Sequence, residues 1–385
     1  MIYLFCFALS FGICWIGEKQ LKKKNKKRGG MILLLAAVLP AVLAALRDDT
    51  IGTDIHYYGN PQFFWCLQNH DLKWLIQSQI KTVEPLYVLL NFLITRVTAN
   101  PHWLYFAISL LINGLFMAGL YAYAYRDEIS LPMGWLCFLC LFYGDSLNLM
   151  RQYIAMGFLF WGFHFFLEKR YWPYGLTFAA AVLFHYTAVI GVALPVLYLI
   201  FKRWKRIWVK VAIVGVVALA MIFYKPLLAH ALAWGMLPPK YQLYLSDVFK
   251  MATIKSNLMI CIFWLPGIIL SLHKRDAFLT FDDARGPSEG SFYIFLLVLE
   301  VVIFQLRLIV FFLYRISLYF GMYKSVAYAR LIRISEGKEK IVWTLLLGLL
   351  LLTIWGFRTV YLKENQIYPY TSQMMRQFIV NLRHW

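Results

Sequence analysis

Three polar side chains within or beside apolar segments are placed where they could take part in chemistry. Arg151 and Gln152 lie near the start of the segment SLNLMRQYIAMGFLFWGFHFF (residues 146–166), and His185 directly follows Phe184 at the end of another apolar run. A charged side chain inside a membrane segment costs about 2.5–3.5 kcal/mol on insertion scales, and such side chains usually face a cavity or a partner. We therefore expect Arg151 to point into a water-filled cleft.

The composition predicts an all-α, polytopic integral membrane protein. Of the 385 residues, 61% are hydrophobic and only 15% are charged, whereas soluble domains carry about 45–50% apolar and about 25% charged residues. Apolar runs of about 15–20 residues recur along the chain, which is a length typical of transmembrane helices. We predict a single membrane domain over residues 1–385, with about ten to twelve transmembrane helices.

The net charge of +19 follows the pattern of membrane topology rather than of nucleic-acid binding. The basic run EKQLKKKNKKR (residues 18–28) comes after the first apolar segment, whereas a cleavable signal peptide carries its basic residues in front. We interpret residues 1–17 as an uncleaved span with an external N-terminus. Basic clusters at residues 202–210 and 330–340 are typical of cytoplasmic loops. The expected partner is the lipid bilayer, and nucleic acid is not expected.

The same charge pattern predicts which segments lie outside the membrane. They are two external loops, at about residues 47–84 and 225–255, and an external tail at about residues 361–385. The segment EPLYVLLNFLITRV (residues 84–97) would be about 21 Å long as a helix, shorter than the ~30 Å hydrocarbon core, so we expect a short re-entrant helix. Residues 171–201 form either two spans that meet at His185 or one long tilted helix.

With this topology, the unusual polar residues gather at the external face. They are Arg47, Asp54, Glu84, Arg151, His185 and Arg315. Guanidinium groups bind phosphate oxygens in bidentate fashion, and Arg151 lies near a helix N-terminus, where the dipole favours negative charge. We expect a lipid diphosphate to bind there, with Asp54, Glu84 or His185 as a base towards a hydroxyl.

Each of these residues also has a purely structural interpretation. A single arginine at a helix end often anchors the helix at the membrane surface. His185 taken alone would be a hydrogen-bonded packing residue. No spacing of histidine, cysteine and acidic residues indicates a metal site, so we expect neither a metal nor a cofactor.

Six short motifs follow one another in a recognisable order. They are Arg47 with GTD and Tyr58 (residues 47–58), Glu-Pro (84–85), N-x-x-R-Q-x-x-A (148–155), F-H-x-[ST]-A (184–188), R-x-x-x-Y-F (315–320) and Y-P-Y (368–370). In this order they resemble the EpsG family of exopolysaccharide polymerases, which are Wzy-like proteins of bacterial surface-polysaccharide and O-antigen-type pathways. The resemblance covers nearly the whole chain.

The resemblance implies a metal-independent glycosyltransferase with a GT-C-like fold in the bacterial cytoplasmic membrane. At its external face the enzyme would transfer a growing glycan from undecaprenyl diphosphate onto a lipid-linked repeat unit. Its implied protein partners are a chain-length regulator and a flippase. Arg47, Arg151 and Arg315 would hold the diphosphate. His185 or Asp54, with Glu84 as an alternative, would orient or deprotonate the acceptor hydroxyl. The implied supporting contacts are Gln152, Tyr58, Tyr319 and Tyr368.

Two other functions remain open at this level. A flippase for the same lipid-linked oligosaccharide also needs a cationic cavity, but its basic residues should spread through the membrane, often within inverted repeats. A membrane O-acyltransferase would use a single intramembrane histidine, which would leave the arginines without a role. The predicted clustering of basic residues at one face favours the polymerase.

Overall fold

The regular elements of the described chain are all helical and form two compact units. The computed structural model describes residues 2–79, 82–126, 129–204, 206–236, 241, 242, 245, 253–273, 289–308 and 310–382. One unit comprises Met1–Ala188 with Glu336–Trp385, and the other comprises Val189–Ser335. Parts of the predicted second external loop (237–240, 243, 244 and 246–252) and the end of the predicted tail (383–385) lie outside the described residues. The single membrane domain stays a prediction.

The helices are labelled in chain order. The first unit begins with α1 (Ile2–Lys22), α2 (Lys26–Leu46), α3 (Asn60–Gln68), α4 (Leu72–Gln79), α5 (Pro85–Thr95), α6 (His102–Tyr125), α7 (Leu131–Leu141), α8 (Tyr143–Ser146), α9 (Met150–Leu167) and α10 (Tyr171–Phe184). The second unit contains α11 (Ala193–Arg203), α12 (Ile207–Ile222), α13 (Tyr224–Ala233), α14 (Ile254–Ile262), α15 (Leu265–His273), α16 (Glu289–Phe304), α17 (Arg315–Gly321) and α18 (Lys324–Ile334). The chain then returns to the first unit with α19 (Gly337–Gly356) and α20 (Gln373–Leu382).

Six helical segments of the described residues are long and apolar enough to cross a membrane. They are Ile2–Lys22, Lys26–Leu46, His102–Tyr125, Tyr186–Arg203, Gly290–Leu308 and Gly337–Tyr361. Helices α12 and α13, bent by 73° at their junction, would together make one more. The predicted all-α, polytopic membrane fold is confirmed. The predicted re-entrant segment is the 11-residue helix α5, which is too short to span the hydrocarbon core unaided.

The core of the first unit forms where α2 packs against α1 and α6. Pro40 lies inside α2 and has no N–H group to donate to the carbonyl of Ala36. The Ser10 hydroxyl of α1 donates to that carbonyl instead, at 2.7 Å, and accepts a bond from the Trp135 indole N–H at 2.8 Å. A backbone group freed inside lipid must find a partner, so the Ser10 bond stabilises the contact between the two helices.

A break at His185 separates α10 from the helix that follows. The His185 backbone is extended (φ −157°, ψ 114°), and residues Tyr186–Val192 form a 3₁₀ helix before α11 begins. The two-segment prediction is therefore right, and the single long helix over residues 171–201 does not form. The extended residue takes the His185 side chain out of the helical register.

The second unit carries its own buried charges. Lys324 Nζ lies 2.7 Å from Glu300 Oε1, and both side chains are almost fully buried. Residues 311–328 form a 3₁₀ turn (Phe311–Tyr314) followed by α17, which begins at Arg315, and the start of α18.

Candidate active site

A buried carboxylate joins three separate elements of the first unit. Glu84 directly precedes α5, and its side chain is fully buried. Its Oε2 accepts a hydrogen bond from Arg151 Nη1 at 2.5 Å. Its Oε1 lies 3.2 Å from Nδ1 of His185 and accepts a bond from the Tyr186 N–H at 3.4 Å. Both carboxylate oxygens are thus in use, and Glu84 ties α9 to the break after α10.

The contact with Glu84 determines which ring nitrogen of His185 carries the proton. A carboxylate beside Nδ1 favours the tautomer that carries its proton on that nitrogen, which makes Nε2 the basic nitrogen of the ring. The same arrangement of carboxylate and imidazole orients the general base of many hydrolytic and transfer enzymes. The structure therefore brings two of the predicted catalytic residues, Glu84 and His185, into one dyad.

Arg151 is held between aromatic rings and acids at the start of α9. Its guanidinium lies 5.4 Å from the Tyr58 ring centroid and 5.5 Å from that of Tyr87. Besides Glu84, the Asp54 carboxylate lies within electrostatic range of Arg151. Two acids thus lie beside one arginine, so negative as well as positive charge is concentrated at this site. Arg151 both fixes Glu84 and lines the adjoining cavity.

The cavity beside Arg151 has a volume of about 450 Å³ and an aromatic wall. It is lined by Tyr57, Tyr58, Pro61, Gln62, Trp65, Trp74, Ser78, Gln79, Thr82, Val83, Tyr87 and Arg151. The Trp65 and Trp74 rings stack with centroids 6.4 Å apart and an interplanar angle of 15°. The Gln79 Oε1 atom is buried and has no hydrogen-bond partner among the described residues. Flat apolar faces beside amide and hydroxyl groups suit a ligand that has both apolar faces and hydroxyl groups.

The comparison with known families decides the classification. Residues 30–372 match the profile of the EpsG family, so the match covers nearly the whole chain. The chain belongs to the EpsG family. EpsG is the Wzy-like polymerase family, and the recognition from the six motifs is confirmed. No curated protein and no solved structure matches this chain.

Arg47 of this EpsG-family chain is buried and is not one of the residues that line the cavity. It follows α2 directly, and its side chain is 2% exposed. Its guanidinium lies 5.4 Å from the Tyr105 ring centroid, and Nη2 lies 3.7 Å from Met150 Sδ. Nε and Nη1 have no hydrogen-bond partner among the described residues. Burial lowers the pKa of this guanidinium, because removing the charge from water is costly.

The remaining predicted residues are placed as follows. Gln152 is buried on α9, next to Arg151. Tyr368 is 37% exposed in the segment before α20. Arg315 and Tyr319 lie on α17 in the second unit of this EpsG-family chain, where Tyr319 is buried. The phosphate-binding role of Arg315 stays a prediction.

Sequence reasoning missed a polar network at the ends of α7 and α19. The Arg358 Nη2 atom donates to both oxygens of Asp145, at 3.0 and 3.1 Å, and its Nε donates to Glu364 at 2.7 Å. Asn365 donates to Asp145 Oδ1 at 2.6 Å. The available signal was one acid and one base, Asp145 and Arg358, beside two apolar segments. Such residues are expected to pair when they lie within a membrane protein.

Proposed function

We propose that this EpsG-family protein is a metal-independent polysaccharide polymerase. It transfers a growing glycan from undecaprenyl diphosphate to a hydroxyl of a lipid-linked repeat unit, at the outer face of the bacterial cytoplasmic membrane. The observation that carries this proposal is the buried Glu84 carboxylate, which joins Arg151 and His185 beside an aromatic cavity. The cavity suits a saccharide, because sugar rings have apolar faces and a hydroxyl rim.

The proposed reaction is a displacement at the anomeric carbon. Nε2 of His185 takes the proton of the acceptor hydroxyl while the hydroxyl oxygen forms a bond to the anomeric carbon. The bond between that carbon and the diphosphate oxygen breaks, and the diphosphate leaves with the electron pair. Glu84 beside Nδ1 stabilises the imidazolium that results.

Charge stabilisation of the leaving group is assigned to the arginines. Arg151 donates one N–H to Glu84 and has further N–H groups for phosphate oxygens, since a guanidinium carries five donors. Arg47 is the proposed additional contact to the diphosphate, acting where negative charge develops as the bond breaks. Asp54 is the proposed alternative base, given its position beside Arg151.

Reconstitution with a defined substrate tests the proposal. Purified protein in lipid nanodiscs receives lipid-linked repeat units, without nucleotide sugar and with a metal chelator. We expect a ladder of lengthened products from the wild type, and a loss of about 100-fold or more in His185→Ala, as for other general bases. His230→Ala, in an exposed part of α13, should act as wild type. A product of fixed length that only changes leaflet in vesicles would indicate a flippase instead.

A further inference from the structure

A chain of hydrogen bonds connects the loop after α19 to Asp54. Asn365 donates to Asp145 at 2.6 Å and accepts a bond from Asn148 Nδ2 at 3.0 Å. Asn148 Oδ1 in turn accepts bonds from the Thr53 hydroxyl at 2.8 Å and from the Asp54 N–H at 2.9 Å. The Asn148 N–H also donates to the Asp145 backbone carbonyl at 3.0 Å, but Asn365 is the only link between the two side chains that the described contacts show.

The negative charge of Asp145 fixes which group donates and which accepts along this series of hydrogen bonds. An ionised carboxylate can only accept hydrogen bonds, and Asp145 is paired with Arg358. Asn365 must therefore present its NH₂ group to Asp145 and its oxygen to Asn148. Asn148 then presents its own oxygen to the Asp54 N–H. A reversal of either amide would put two donors or two acceptors against each other.

The backbone around Asn365 adopts an unfavourable conformation to make these contacts. Lys363, Asn365 and Gln366 all have positive φ angles, of 52°, 59° and 54°. Left-handed backbone is disfavoured for residues other than glycine and least so for asparagine and aspartate. Such conformations persist where the surrounding structure enforces them, and they cluster at functional sites.

We propose that Asn365 is a positioning residue for the reaction. It holds the Asn148 side chain, which in turn holds the Asp54 carboxylate beside Arg151. The expected effect on kcat rests on the proposed polymerase function, whereas the expected effect on the position of Asp54 does not. Asp54 directly precedes the π-helical turn Ile55–Gly59, and one amide oxygen of Asn148 accepts bonds from both Thr53 and Asp54. The orientation of that amide therefore sets the position of Asp54 at the start of the turn. Loss of Asn365 frees the Asn148 amide to rotate.

Three variants in nanodiscs separate positioning from folding. Asn365→Gly removes the amide and relieves the left-handed strain. Asn365→Asp retains tolerance of that conformation but cannot donate to Asp145. Lys363→Gly is the matched control, because Lys363 has the same sign of φ and an exposed side chain. Each variant is measured by thermal unfolding, by hydrogen exchange at the Asp54 amide and by the steady-state kinetics of glycan extension.

We expect Asn365→Gly and Asn365→Asp to speed exchange at the Asp54 amide and to lower kcat by about 10- to 100-fold. A shifted Asp54 carboxylate would also disturb Arg151, and a small misplacement of the groups around the reacting atoms is costly. Lys363→Gly should match the wild type in both measurements. Unchanged exchange, or faster exchange with unchanged kcat, would overturn the positioning role. A loss of activity that is fully explained by the loss of folded protein in thermal unfolding would also overturn it. If the wild type makes no polymer, the proposed function fails while the exchange result still decides the structural link.

Discussion

Glu84 and Arg151, 67 residues apart in the sequence, form an ion pair with Oε2 and Nη1 separated by 2.5 Å. The Glu84 side chain is fully buried, whereas the Arg151 side chain keeps 17% of its surface exposed at the cavity. The pair therefore combines a fixed anion with a cation that a ligand can reach. This asymmetry fits the proposed function, in which Arg151 serves both the fold and the substrate.

Removal of Arg151 should destabilise the protein through the charge left on Glu84. We expect Arg151→Met to lower the free energy of unfolding by about 3 kcal/mol, as for other broken buried pairs. The double variant Arg151→Met with Glu84→Gln should be more stable than Arg151→Met alone, because no uncompensated carboxylate remains. Denaturation in mixed micelles measures both. Arg170→Met breaks an exposed pair with Glu168 and should cost less than about 1 kcal/mol.

Arg47 should behave in the opposite way if it serves the substrate. A buried charge without a counter-ion is destabilising, and a hydrophobic residue of similar volume is often neutral or better. We therefore expect Arg47→Met to leave the unfolding midpoint unchanged or raised, while polymer formation falls by at least tenfold, the loss of about 1.4 kcal/mol of binding. A lowered midpoint would show that Arg47 is structural. Calorimetry and the extension assay on one preparation provide both readings.

Gly52 should be required for the approach of the GTD segment to the segment before α9. Its φ is +85°, and a Cβ there would lie 2.8 Å from the carbonyl oxygen of Leu147. Gly337 also has a positive φ, but a Cβ would meet nothing within 4 Å. Both alanine variants should cost about 1 kcal/mol of stability through φ. Only Gly52→Ala should also displace Asn148 and reduce glycan extension. Equal activity in the two variants would contradict this.

The stacked tryptophans should contribute to substrate binding rather than to turnover. We expect Trp74→Ala to raise KM for the lipid-linked substrate by about 2- to 12-fold at nearly constant kcat, because an aromatic contact contributes about 0.5–1.5 kcal/mol. Trp103→Ala is the control, since Trp103 is similarly exposed but lies outside the cavity lining. A fall in kcat with unchanged KM would place Trp74 in the chemistry instead. Initial rates over a range of substrate concentrations separate the two.

Several features of the site could be predicted from the sequence because they are local. Arg151 at the start of an apolar helix and His185 at the end of another are visible as polar residues in apolar context. The helix break at His185 was one of two predicted alternatives. Pro85 at the first position of α5 is likewise a local signal for a helix start.

Other features could not be predicted, because they depend on which helices pack together. Glu84 was predicted as an alternative base, but its contacts with both Arg151 and His185 were not predicted. Asn365 and Asp145 lie 220 residues apart, and nothing near either residue indicates their hydrogen bond. The left-handed backbone at residues 363, 365 and 366 also has no glycine to signal it.

The sequence alone determined that this is an all-α membrane protein of the EpsG family and which residues are candidates for catalysis and phosphate binding. It could do so because the free energy of placing a segment in lipid is approximately a sum over its residues, and because short motifs keep their order along the chain. Only the tertiary structure decided that Glu84 is the shared partner of Arg151 and His185 and that Arg47 is buried. Ion pairs and burial depend on distances between helices, and the packing of the whole unit sets those distances.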